Sequence, residues 1–202
     1  DTIADGTQLE NKLVSISRLP DLRGKEVLTD VDTLLYKLHE EGTVKIDKQK
    51  YIKTRLFDML TGDWNKVSEN WYWVPQQNKD SIVYTAQVVD RTHGFTIVDG
   101  VFFKELLNML GVGFISNYDR RLKNVKKFND LAYALDIAVT QTVGEDVWIQ
   151  QAQILKNELT DEIINNAFLK LPEEMQNEST EKIKINLKLR RESLPDIAHR
   201  YY

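Results

Sequence analysis

Gly62-Asp63-Trp64-Asn65-Lys66-Val67-Ser68-Glu69-Asn70-Trp71-Tyr72-Trp73 holds three of the four tryptophans, and after residues 74–87 Val88-Val89-Asp90-Arg91-Thr92-His93-Gly94-Phe95 sets a lone aspartate just past an apolar run. Just upstream, Asp47 is placed to cap a helix in which Tyr51, Ile52, Leu56, Phe57, Met59 and Leu60 recur at helical spacing, and Gly62 stands just past its end. Residues 70–74 then read as an aromatic strand, 75–80 as a polar turn, and 81–89 as the returning strand, with Ile82, Tyr84 and Val88 on one face. A hairpin of this kind carries Asp90 back toward the polar loop around Asn65 and Asn70.

Working outward, Asp30 or Thr29 is placed to cap a helix carrying Leu34, Leu35 and Leu38 and closed by Gly42, after which Thr43-Val44-Lys45-Ile46 is a short apolar run. Beyond Gly100 the periodicity turns helical, near 101–110, 130–140, 145–157, 161–169 and 180–192. Thr160 and Ser179 are the expected N-caps, and Ser193-Leu194-Pro195-Asp196 resembles a capping box that opens a last helix. Residues 1–29 are polar and weakly periodic, with a turn at Arg18-Leu19-Pro20-Asp21. The expected fold class is α+β, mainly α: a helical body with one β-hairpin over residues 30–202, preceded by an irregular segment over 1–29.

Bulk composition sets the outer bounds. At 202 residues and 42% hydrophobic content, the chain holds enough apolar material for one domain with a real core. A net charge of −4 argues against nucleic acid as a partner. No run approaches the roughly 18 apolar residues of a membrane span. With 0 cysteines, disulfides, thiol catalysis and thiolate metal sites are excluded. The start at Asp1 and the end at Arg200-Tyr201-Tyr202 read as cut ends, so a piece of a longer protein is expected.

The loop-hairpin-loop pattern suits phosphoryl transfer. That chemistry uses a carboxylate near the acceptor hydroxyl, an amide or carboxylate a few residues later, and a second aspartate across a hairpin, so that oxygen ligands hold Mg²⁺ against phosphates. Asn70 and Asp90 are suitable ligands, whereas Asn65 at the first position can hydrogen-bond a hydroxyl but is poorly suited to take its proton. The same polar residues equally serve to cap a helix and start a strand. Tryptophans 64, 71 and 73 with Tyr72 suit either a stacking platform or a packed strand. His93 reads as a base, a ligand or a loop residue; His39, His93 and His199 show no metal spacing. Lys182, Lys184, Lys188, Arg190, Arg191 and Arg200 form a basic tail, read as a solvated helix face or as a patch for an acidic partner or lipid headgroups.

Beyond these motifs the chain resembles a kinase-like region found in large cell-envelope proteins of Bacteroidetes-type bacteria, alongside metallophosphoesterase and surface-antigen outer-membrane barrel domains. Arg55-Leu56-Phe57-Asp58-Met59-Leu60-Thr61-Gly62-Asp63-Trp64, Glu69-Asn70-Trp71-Tyr72-Trp73, the Val88 to Phe95 segment, Leu171-Pro172-Glu173-Glu174, Leu187-Lys188-Leu189-Arg190-Arg191-Glu192-Ser193-Leu194 and Ala198-His199-Arg200-Tyr201-Tyr202 carry the resemblance. More distantly, the chain is similar to the C-terminal lobe of HipA-type, CotH-type and phosphoinositide-type kinases. The resemblance implies Mg²⁺ and ATP as cofactors, Asn70 and Asp90 as metal ligands, and Asn65 at the catalytic aspartate position, with Lys66 and Val67 in place of Arg and His. Thr92 stands where the family has a second Asp, while Arg55, Phe57, Asp63, Trp64, Trp71 and Trp73 are kept. No glycine-rich loop or strand-borne lysine for ATP is present. The expectation is therefore a degenerate, pseudokinase-like module at the periplasmic face of the outer membrane, with an interaction or structural role. Its partners would be a protein or the neighbouring domains of its own chain. An active phosphotransferase, or a domain that only packs beside a phosphoesterase or barrel, are the alternatives.

Overall fold

Two aspartates set where the first helices begin. Asp30 accepts the Thr33 N–H at 2.8 Å to start α1 (Val31–Glu40), and Asp47 accepts the Lys50 N–H at 2.9 Å to start α2 (Lys48–Thr61). Gly62 ends α2 in the left-handed region at φ 76°, which turns the chain sharply into the Asp63–Lys66 loop. The computed structural model describes residues 28–97 and 117–202. The helix expected near 101–110, and the irregular N-terminal segment up to residue 27, lie outside them.

β1 (Val44–Ile46), β2 (Trp71–Asn78) and β3 (Ser81–Val88) form a three-stranded sheet in the order β1-β3-β2. β2 and β3 are the expected hairpin. β1 adds a parallel strand, pairing Val44 with Ile82 and Ile46 with Tyr84, so the lone hairpin becomes part of a mixed sheet. The strand β2 also runs further than expected, through Pro75 to Asn78, and the turn shrinks to Lys79-Asp80 with Lys79 at φ 38°. Pro75 is tolerated because it faces Tyr84 from the far strand of the hairpin, where its missing N–H removes no ladder bond. On that outer side Thr29 exchanges two backbone hydrogen bonds with Trp73, at 3.0 and 2.8 Å.

The remaining described α-helices are α3 (Val125–Phe128), α4 (Tyr133–Thr140), α5 (Glu145–Glu158), α6 (Asp161–Phe168), α7 (Glu178–Glu192) and α8 (Leu194–Tyr201). The class is α+β and mainly α, as the periodicity implies. Thr160 caps α6 as expected, but α7 is capped by Asn177, which accepts the Thr180 N–H at 3.1 Å, and Ser179 lies inside the helix. Ser193 precedes α8 without capping it; its hydroxyl donates to the Leu189 carbonyl at 3.3 Å.

α2 is buried on nearly every side and divides two apolar clusters. Ile52, Leu56, Met59 and Leu60 pack against Trp148, Ala152, Leu155 and Ile197 from the C-terminal helices. Tyr51 turns the other way, onto Trp71 and Trp73 at ring distances of 5.3 and 5.6 Å, within the cluster formed by the sheet, α1 and α4. Each fully buried large apolar side chain here contributes about 1.5–3 kcal/mol. The two clusters clamp α2, and so fix the direction in which its C-terminal end delivers the Asp63–Asn70 loop.

Candidate functional site

The loop after α2 meets the loop after β3 around one buried ammonium. Lys66 is 1% exposed; its Nζ pairs with the Asp63 carboxylate and donates to the Asn65 carbonyl at 3.3 Å and the Asp90 carbonyl at 3.2 Å. Asn70 adds a second tie: its Nδ2 donates to the Asn65 carbonyl at 2.7 Å, while its own carbonyl accepts the Val89 N–H at 3.1 Å. The Asn65 amide lies 3.4 Å from His93 Nδ1, and the Trp64 ring meets the His93 ring edge-on at 4.8 Å. Asn65, Asn70 and the Asp90 segment are thus gathered at one end of the hairpin, as the sequence pattern requires.

Asp90 is held in a local turn. Its Oδ1 accepts the Thr92 N–H at 2.8 Å and the Thr92 hydroxyl at 2.7 Å, and these bonds hold the carboxyl below the usual aspartate range. Its Oδ2 and the Asn70 Oδ1 accept no hydrogen bond among the described residues. Two hard oxygen donors of this kind fit Mg²⁺, which keeps most of its shell as water and phosphate oxygens. Among the described residues no group of three or more His, Asp or Glu is arranged to hold a metal ion, so an ion here would depend on oxygens brought by its ligand. The first position of the constellation, Asn65, offers an amide instead of a carboxylate.

Beneath this loop lies a buried ionic network that the sequence pattern does not reveal. Arg55, 1% exposed, donates to Asp136 at 2.9 and 3.2 Å, to Asp58 at 2.9 Å and to Asn129 at 2.5 Å. Asp136 also accepts the Tyr51 hydroxyl at 2.6 Å and the Tyr201 hydroxyl, while Asp58 accepts Arg91, the residue next to Asp90. The network ties α2, α4, α8 and the Asp90 loop together. The only signal in the sequence is that Arg55 and Asp58 fall among the apolar positions of α2.

Other candidates resolve toward structure. Trp71 and Trp73 are 1% and 0% exposed and form packed core, unavailable for stacking a base or sugar. His39 pairs with its neighbour Glu40, and His199 with Glu145. The basic tail is not one solvated face. Arg190 is 2% exposed, lies 4.3 Å over the Tyr118 ring and donates to the carbonyls of Asp119 and Met59. Arg191 binds the Leu159 carbonyl and Asp161, and Arg200 the carbonyls of Leu122 and Lys123.

Comparison with protein-family models, with curated proteins and with solved structures finds no match to this chain.

Proposed function

We propose that this chain is a catalytically degenerate, pseudokinase-like module of a bacterial cell-envelope protein, acting through a protein partner or the neighbouring domains of its own chain. One observation carries the reading: at the point where Asn70 and the Asp90 segment converge, residue 65 is an amide. An amide cannot accept the proton of an acceptor hydroxyl and cannot stabilise the charge that develops there. The oxygens of Asn70 and Asp90 remain suited to hold Mg²⁺ against phosphates, so nucleotide binding without turnover is the expected behaviour. The envelope setting at the periplasmic face of the outer membrane rests on the resemblance alone; among the described residues no helix is long and apolar enough to cross a membrane.

An active Mg-ATP-dependent phosphotransferase is the second reading, favoured by His93 Nδ1 at 3.4 Å from the Asn65 amide, where an imidazole could orient an acceptor. Phosphoryl transfer depends mostly on positioning and electrostatics, so loss of the carboxylate does not by itself end it. Calorimetric titration of ATP with and without Mg²⁺ or Mn²⁺, on the parent chain and on Asp90→Ala, tests both. Metal-dependent binding lost in Asp90→Ala, without turnover, supports the degenerate site. Robust phosphoryl transfer abolished by Asp90→Ala overturns it. A large gain of turnover in Asn65→Asp would show that the missing carboxylate alone limits the chemistry.

A further inference from the structure

Independently of the site above, a cavity of about 490 Å³ opens between α2, α6, α7 and the Arg91–Phe95 loop. Its walls are side chains such as Phe57, Phe95, Ile164, Phe168 and Leu187, and no Asp or Glu is among its described lining residues. The volume falls within the about 300–1,000 Å³ of small-molecule sites, and the lining is far more apolar than a site for a sugar or nucleotide needs. Ile163 and Met175, 50% and 51% exposed at its edge, are surface that a ligand would cover.

Charge selects the occupant. Arg91 is the single charged residue in the described lining. Its guanidinium lies 5.0 Å over the Phe57 ring and gives one N–H to Asp58, and its side chain is 38% exposed. A guanidinium has five N–H donors and bridges two carboxylates readily. An apolar cavity whose wall carries one half-exposed guanidinium, paired on one side with Asp58 and with N–H donors to spare, matches a molecule that is apolar along its length and anionic at one end. We propose that this cavity binds a single-chain fatty acid, the aliphatic tail lying among the side chains of α6 and α7 and the carboxylate meeting Arg91.

The test is displacement of the fluorescent fatty acid cis-parinaric acid from the full chain by saturated fatty acids of ten to sixteen carbons, each below its micellar concentration. Affinity should rise about three- to fourfold per added methylene until the cavity is full. The methyl ester and a long-chain trimethylammonium should compete at least about tenfold more weakly than the acid. Ala167→Trp fills the cavity from an exposed position on α6, so it should abolish probe binding while leaving circular dichroism and the melting temperature unchanged. Absence of saturable probe binding, as expected if another part of the chain closes the cavity, overturns the proposal. So do equal competition by acid and ester, wild-type affinity in Ala167→Trp, or capture of anionic phospholipid vesicles without binding of the free acid.

Discussion

Replacing Arg55 by methionine is the most informative single perturbation of the frame. Methionine keeps much of the side-chain volume but removes four polar contacts at once, two to Asp136 and one each to Asp58 and Asn129. Asp58 and Asp136 stay behind at 0% and 3% exposure, partly compensated by Arg91 and by the hydroxyls of Tyr51 and Tyr201. Breaking a buried pair from one side typically costs about 3–5 kcal/mol, because a charge is left uncompensated in a poor dielectric. With a urea slope of about 2 kcal/mol per molar, the midpoint of unfolding should fall by about 1.5–2.5 M, followed through tryptophan fluorescence. The penalty should also depend on pH. Burial pushes the Asp58 carboxyl up and Arg55 is the strongest influence pulling it back, so without Arg55 the native state takes up a proton more readily. The deficit of Arg55→Met relative to the parent should therefore narrow as pH falls from 8 toward 5. A midpoint shift under about 0.5 M, or a deficit that widens on acidification, would refute the claim that Arg55 compensates buried carboxylates.

Three further outcomes follow from the same structure. Tyr51, Tyr118 and Tyr201 are all pushed up by burial, so their neutral forms stabilise the fold below the ordinary tyrosine range near pH 10, and stability falls as pH rises above it. Each adds about 1.4 kcal/mol per pH unit to the alkaline loss, measurable as a steep drop in the urea midpoint that Tyr118→Phe makes shallower. Gly62→Ala should cost about 2–3 kcal/mol in the same titration, because a Cβ would stand 2.9 Å from the Tyr118 ring at φ +76°. Lys66→Met should raise amide hydrogen exchange in both the Asp63–Asn70 and Asp90–Gly94 segments; unaltered exchange in the second segment would show that Lys66 does not couple them.

Elements whose boundaries are set by short-range chemistry were legible in the sequence. Asp47 and Gly62 bracket α2 because a cap bond and a left-handed exit are both local events. The hairpin was legible because Ile82, Tyr84 and Val88 recur at the period of a strand. What escaped depended on remote partners or on competition between equivalent neighbours. β1 is 3 residues long and becomes a strand only because β3 lies beside it. Pro75 suggested a turn, yet an outer strand absorbs a proline without losing a bond. At the start of α7, Asn177, Ser179 and Thr180 are all competent caps; Asn177 prevails because its carboxamide reaches the Thr180 N–H. Arg190 looked solvated because charge in a helical run usually is, but its guanidinium finds an aromatic face and two carbonyls in the interior.

The candidate site divides along the same line. That Asn65, Asn70 and Asp90 converge follows from the hairpin between them, whereas the means of holding them together was hidden in Lys66, a residue type that is rarely fully buried. The division of labour within residue 65 bears on function. Its carbonyl, which every amino acid has, accepts from Asn70 Nδ2 and Lys66 Nζ; its side chain makes the 3.4 Å contact to His93. The loop's shape therefore does not depend on whether residue 65 carries a carboxylate or an amide. An exchange between aspartate and asparagine at this position therefore costs the fold little. Asn65→Asp should accordingly shift the urea midpoint by less than the equivalent of about 0.5 kcal/mol, in line with substitutions that touch no buried network.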